Sequence, residues 1–123
     1  MADTATTIDT YLAAYGETDP ARRRAGIEAS WDANGHLADP PMDAAGHDAL
    51  DAMFAAVQAQ FPGHLFRRTS GIDEHHDTAR YSWDLIAPDG TASVAGTDIA
   101  RLNQTGKLTS VTGFFGPLPE LDS

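Results

Sequence analysis

An α+β fold with an antiparallel sheet is what this sequence predicts, on two observations about its periodicity. Up to Phe61 the apolar residues recur at helical spacing, and beyond Gly63 they alternate with polar ones. Helical segments followed by a meander of four long strands are the signature of helices packed on one sheet. No repeat, linker or second apolar block interrupts the order, so residues 1–123 are read as one domain. A chain of this length buries roughly two-thirds of its surface on folding, enough for a real core.

The first helix is capped by Asp3 or Thr4, and Ile8, Tyr11, Leu12 and Tyr15 form its apolar stripe before Gly16 ends it. Asp19-Pro20 restarts a helix, in which Ile27 and Trp31 share a face and Asn34-Gly35 forms the stop. Gly35 to Asp39 reads as a brief extended piece, because Pro40-Pro41 prevents a helical Asp39. A third helix is expected from His47 to Phe61, with Leu50, Met53, Phe54, Val57 and Phe61 on one side. Leu65 to Asp73 supplies a first strand of the meander. Tyr81, Trp83 and Leu85 alternate along the second, Pro88-Asp89-Gly90 turns, and Val94, Gly96, Asp98, Ala100 and Leu102 share one face of the third. After the turn at Asn103 to Gly106, Leu108 to Phe115 forms the last strand.

Composition narrows the function. There is no cysteine, which removes disulfides, thiolate nucleophiles and cysteine-zinc sites and suits a reducing cytoplasm, the expected compartment. Met1 to Thr10 lacks the basic region and apolar run of a secretory signal, and no segment approaches the ~20 apolar residues of a membrane-spanning helix. Eighteen acidic residues against eight basic ones give a formal charge of -10. That field repels phosphate backbones, so neither nucleic acid nor anionic membrane is an expected partner. The one basic cluster, Arg22 to Arg24, fans out around a helix and reads as solvated surface.

Three residues could carry chemistry. Asp98 lies among Val94, Gly96, Ala100 and Leu102 on the core face of its strand, where an ionised carboxylate is costly unless paired. It is either a core Asp satisfied by a backbone or Tyr partner, or an acid of raised pKa facing a cavity. Asp39, before Pro40, is either an Asx-type turn residue or a carboxylate held on rigid backbone as a general base. Tyr11 on the first helix either packs as core or points its hydroxyl inward as a donor. Adjacent residues of a strand point to opposite faces, so His75 and His76 read as a surface turn that cannot chelate one metal unaided. No metal motif, glycine-rich phosphate loop or serine elbow occurs, so neither metal nor cofactor is expected.

The run from Asp98-Ile99-Ala100-Arg101-Leu102-Asn103 to Gly106-Lys107, with Phe114-Phe115-Gly116, resembles the last two strands of ketosteroid isomerase. Tyr11-Leu12-Ala13-Ala14 is similar to its first helix and Asp39-Pro40 to the dipeptide that carries its base, although the interval from Tyr11 to Asp39 is longer here. The resemblance covers nearly the whole chain and extends to the nuclear transport factor 2-like superfamily with its SnoaL-like polyketide cyclases. It implies a cone-shaped fold whose curved sheet and helices enclose an apolar pocket, often in a homodimer. By the same resemblance Asp39 moves a proton between carbons, while Tyr11 and Asp98 hydrogen-bond the enolate oxygen. Trp31, Phe54, Trp83 and Phe114 are then expected as pocket wall, with Arg68 facing in beside Trp83. The implied partner is a hydrophobic carbonyl compound such as a polyketide, steroid or terpenoid, processed by an isomerase or cyclase. A second reading is a non-catalytic module that binds an apolar ligand or mediates dimerisation, and a third is a water-adding or dehydrating member of the superfamily, for which Arg68 is the one suggestive helper.

Overall fold

The structure, a computed structural model, describes residues 3–121. Three helices come early, α1 (Thr4–Tyr15), α2 (Pro20–Ser30) and α3 (His47–Gln60). Seven strands follow or interrupt them: β1 (Trp31–Asp39), β2 (Met42–Ala45), β3 (Leu65–Arg68), β4 (Asp73–His75), β5 (Thr78–Ile86), β6 (Ala92–Leu102) and β7 (Leu108–Phe115). Among the described residues no helix is long and apolar enough to cross a membrane.

The helix ends follow local chemistry. The Asp3 carboxylate accepts from the Thr6 amide at 2.7 Å, and the Asp19 carboxylate accepts from the Arg22 amide at 2.9 Å with Pro20 in the first turn. Both satisfy amides that a helix start leaves without partners. Gly16 closes α1: its amide donates to the Leu12 carbonyl, and the next amide, of Glu17, donates to the Ala14 carbonyl. Gly46, at φ 88°, enters α3 in a conformation that L side chains rarely adopt.

Two parts of the sequence reading are corrected here. The second helix does not continue to Asn34-Gly35: it ends at Ser30, whose hydroxyl donates back to the Gly26 carbonyl, and Trp31 opens a nine-residue strand. Strand pairing of Trp31 with Leu108 and full burial of the indole outweigh the helical spacing of Ile27 and Trp31. Gly35 is therefore no helix stop. It sits beneath the indole, where a Cβ would lie 2.4 Å from Trp31 Cε3. The second correction concerns pairing. β1 runs parallel to β7, so the sheet is mixed, though mostly antiparallel. β2 was missed because it has four residues, and Leu65 to Asp73 divides into β3 and the start of β4, which pair separately with β5.

Strand order is β2-β1-β7-β6-β5-β3, with β4 also on β5. α1 packs against β3 near one edge, while α3 packs against β2 and β1 at the other. A sheet whose two edges are both reached by one helical layer must curve around it, which makes the cone. Its core joins Ile8, Leu12, Ile27, Leu37, Leu50 and Val111 to a row of aromatics from both layers. The arginine cluster is not bare surface. Arg23 is buried and bonds Asp51 at 2.5 Å, and Arg24 meets Asp48 at 2.7 Å, tying α2 to α3.

Gly35→Ala separates the two accounts of β1. A methyl group there must displace the indole or the Leu108 carbonyl, an overpacking cost on the order of 1–3 kcal/mol. The expected outcome is a clear drop in urea midpoint, whereas a helix-stop glycine in an exposed loop would tolerate the change.

Candidate active site

Register assembles the site. Across four neighbouring strands Tyr81 pairs with Asp98 and Asp98 with Gly113, while Ala38 pairs with Thr112 and sets Asp39 beside Gly113. Directly paired residues share a sheet face, so Asp98, Tyr81 and the bare Cα of Gly113 all look toward the helices. A Cβ at position 113 would lie 2.2 Å from Asp39 Oδ1 and 3.1 Å from Asp98 Oδ1. The two oxygens are therefore no farther apart than those two distances laid end to end. Glycine is what lets the carboxyl groups meet.

Asp98 is buried, with 2% of its surface exposed. Tyr81 donates its hydroxyl to Oδ2 at 2.8 Å and Trp83 its indole N–H to Oδ1 at 2.8 Å. Burial dominates and raises its pKa to about 7; those two hydrogen bonds pull it down, and the Asp39 charge pushes it up further. Asp39 closes β1 and pairs with Met42 around the Pro40-Pro41 turn. It takes its hydrogen bond from Tyr15 of α1, whose hydroxyl donates to Oδ2 at 3.2 Å. Burial raises the Asp39 pKa and the Tyr15 bond opposes the rise. Burial thus holds both carboxyls above the usual carboxylate range, and the Asp39 charge adds a smaller push on Asp98.

Tyr11 lies between Tyr15, Trp31 and Phe54, its ring edge-on to Trp31 at 5.3 Å. Burial, then Asp98, Tyr81, Tyr15 and Asp39, hold its hydroxyl pKa well above the usual value, so it remains a proton donor. No hydrogen bond engages that hydroxyl among the described residues. Between Tyr11 and Asp39 the chain runs through α2 and the irregular start of β1, which pairs with β7 at Trp31 and again from His36.

The other expected residues divide. Trp83 walls an apolar groove of about 170 Å³ between β5, β7 and α3, with Pro41, Met42, Phe61, Phe66 and Phe115. Phe54 is fully buried and stacks on Tyr15 at 4.2 Å, behind that groove. Trp31 is core, and its indole N–H has no partner among the described residues. Arg68 does lie opposite Trp83 in register, but its guanidinium reaches over the edge to Asp9 of α1 at 2.9 and 3.1 Å. Phe114 pairs with Thr97 on the outer face, and Phe115, paired with Gly96 and edge-on to Trp83, takes the inner place although it too is partly exposed. Counting in twos from Val111 and Gly113 would have found it. Tyr15 was visible on the α1 stripe and Tyr81 on the β5 alternation, yet only the register of β1, β6 and β7 reveals their partners.

Among the described residues no group of three or more His, Asp or Glu could hold a metal ion. His75 and His76 do not point apart as expected. His76 leaves the strand at φ 54°, and the two Nδ1 atoms lie 3.0 Å apart on the surface.

The coupling across Gly113 has a spectroscopic test. In a carboxyl-carbon NMR titration, Asp39→Asn should lower the Asp98 pKa below about 7, because it removes a neighbouring charge. An unchanged value would mean the two groups do not feel each other. Stability carries the same sign: a raised native pKa means that Asp98 contributes most below its unfolded value of about 4 and progressively less up to about 7. Relative to wild type, Asp98→Asn should therefore gain thermal stability as pH rises through that window.

Neither a family model nor a curated protein matches the sequence. Solved structures do. A SnoaL-like family protein from Agrobacterium tumefaciens str. C58, named as a proposed isomerase, is 38% identical over 93% of this chain and 97% of that one, with a TM-score of 0.86. A nuclear transport factor 2-like protein of unknown function from Exiguobacterium sp. 255-15 is 23% identical, covering 91% and 99%, at a TM-score of 0.69. A Sinorhizobium meliloti protein named as a proposed polyketide cyclase is 11% identical, covering 91% and 99%, also at 0.69. The last two share the fold alone. Identity and coverage together place this chain in the SnoaL-like family, with the nuclear transport factor 2-like, ketosteroid isomerase-like fold that its strand register builds.

Proposed function

We propose that the chain is an acid–base enzyme that transfers a proton next to the carbonyl of a hydrophobic small molecule. The observation that carries this reading is the facing of Asp39 and Asp98 across Gly113, one more buried and more readily neutral than the other. Names borne by two relatives, a proposed isomerase and a proposed polyketide cyclase, are consistent with it.

The ionised Asp39 removes a proton from the carbon beside the carbonyl. The electron pair of that C–H bond becomes the enolate double bond, and the carbonyl oxygen takes the negative charge. Neutral Asp98 and the free hydroxyl of Tyr11 donate hydrogen bonds to that oxygen, in a site where water is scarce and such bonds are strong. Asp39 then returns the proton, to another carbon in an isomerisation or after carbon–carbon closure in a cyclisation. Both reactions share the first step. Tyr81 and Trp83 hold Asp98 in place, and Tyr15 does the same for Asp39.

A second reading, a binding module without chemistry, draws on one observation: the groove is apolar and neither carboxylate is among its lining residues. The two separate experimentally. Exchange of the α-protons of a cyclic ketone in D₂O, followed by NMR, reports the shared first step whatever the natural substrate. Asp39→Asn should slow it by about 10²–10⁴-fold, the usual contribution of a positioned base. The rate should also fall as pH rises above about 7, where Asp98 loses its proton and the donor becomes a second negative charge. Exchange no faster than in buffer, with ligand affinity lost in Trp83→Ala and kept in Asp39→Asn, would establish the binder instead.

A further inference from the structure

The groove is small, and one of its walls stands against the side chains that hold the two carboxyl groups. A dry cavity of roughly 150 Å³ is enough to hold benzene, and sites for drug-sized molecules begin at roughly 300 Å³. At about 170 Å³ the groove matches the first class. Phe66 of β3 is one of its walls. The same residue borders two crevices against α1, of about 470 and 310 Å³.

Its position is well fixed. Phe66 stacks on Tyr15 at 4.1 Å and leans on Trp83 at 5.5 Å, the two side chains that bond Asp39 and Asp98. Tyr15 is in turn backed by Phe54 at 4.2 Å. β3 is short and lies at the sheet edge, but the Arg68–Asp9 ion pair clamps it to α1, so the wall is not on a loose segment.

We infer that Phe66 sets the length of the binding groove and restricts its occupant to a single-ring or comparably short carbonyl compound. Fused polycycles are excluded, because Phe66 walls the groove and packs on Tyr15 and Trp83, the side chains bonded to the two carboxyl groups, which leaves no length for a second ring. This inference rests on the proposed proton transfer only for the carbonyl; the size limit follows from the wall alone.

Phenols mimic an enolate oxygen and serve as probes, with binding read by tryptophan fluorescence or ligand-observed NMR. Wild type should bind p-cresol and bind 2-naphthol and a four-ring steroidal phenol more weakly. In Phe66→Ala the ratio of 2-naphthol to p-cresol affinity should rise about tenfold, the scale on which pocket shape discriminates. Phe66→Leu, a milder change for the fold, should give an intermediate rise. Equal binding of the four-ring phenol and p-cresol by wild type overturns the inference, as does an unchanged ratio in both variants or no binding of any one-ring probe. Toluene is the separate control. If it binds as tightly as p-cresol while ring size still discriminates, the size limit stands and the oxygen-directed chemistry fails.

Discussion

Two carboxyl groups meeting over a glycine are the constraint around which the rest of this molecule is arranged. Removing a charged carboxylate from water is expensive, and two in contact are worse unless one gives up its charge. The protein meets this cost with hydrogen-bond donors. Tyr81 and Trp83 are spent on Asp98 and Tyr15 on Asp39. Among the described residues no cation pairs with either carboxyl: Arg68, the arginine in register with Trp83, is engaged by Asp9 at the sheet edge. A neutralising arginine would hold the Asp98 pKa down, whereas burial among neutral donors leaves it raised to about 7.

The secondary structure serves that arrangement. Asp98 and Gly113 are direct partners on antiparallel strands, but Asp39 reaches them only because β1 enters the sheet parallel to β7. The irregular start of β1 and the two-proline turn bring its last residue level with Gly113 and then send the chain back as β2. Rigid backbone on both sides of the pair limits how far the groups can drift apart. The helical layer closes the other side, where Tyr11 and Tyr15, one turn apart on α1, both look inward.

Between that layer and the sheet the interior is largely filled by rings. Phe54, Tyr15, Phe66, Trp83 and Phe115 succeed one another at centroid distances of 4.1 to 5.8 Å, from the core to the rim. Such a chain excludes water, which strengthens the hydrogen bonds at its centre. It also leaves little free volume, so the same aromatic packing that insulates the carboxyls defines what can approach them.

Local periodicity alone determined the helix stripes of α1 and α3, the alternation of β5 and β6, and the inward aim of Asp98. These are short-range consequences of 3.6- and 2-residue repeats, set by which face can be buried. Resemblance added the pairing of Asp39 with Asp98. What neither could supply was register. Trp31 kept helical spacing but was claimed by a strand partner 77 residues away, Leu108, and Phe114 lost the inner place to Phe115 through the alternation of a single strand. Tyr15, Tyr81 and Phe66 became site residues only when strands distant in sequence were laid side by side. Hydrogen bonds between remote segments, and the absence of one Cβ at Gly113, are properties of the assembled sheet rather than of any stretch of chain.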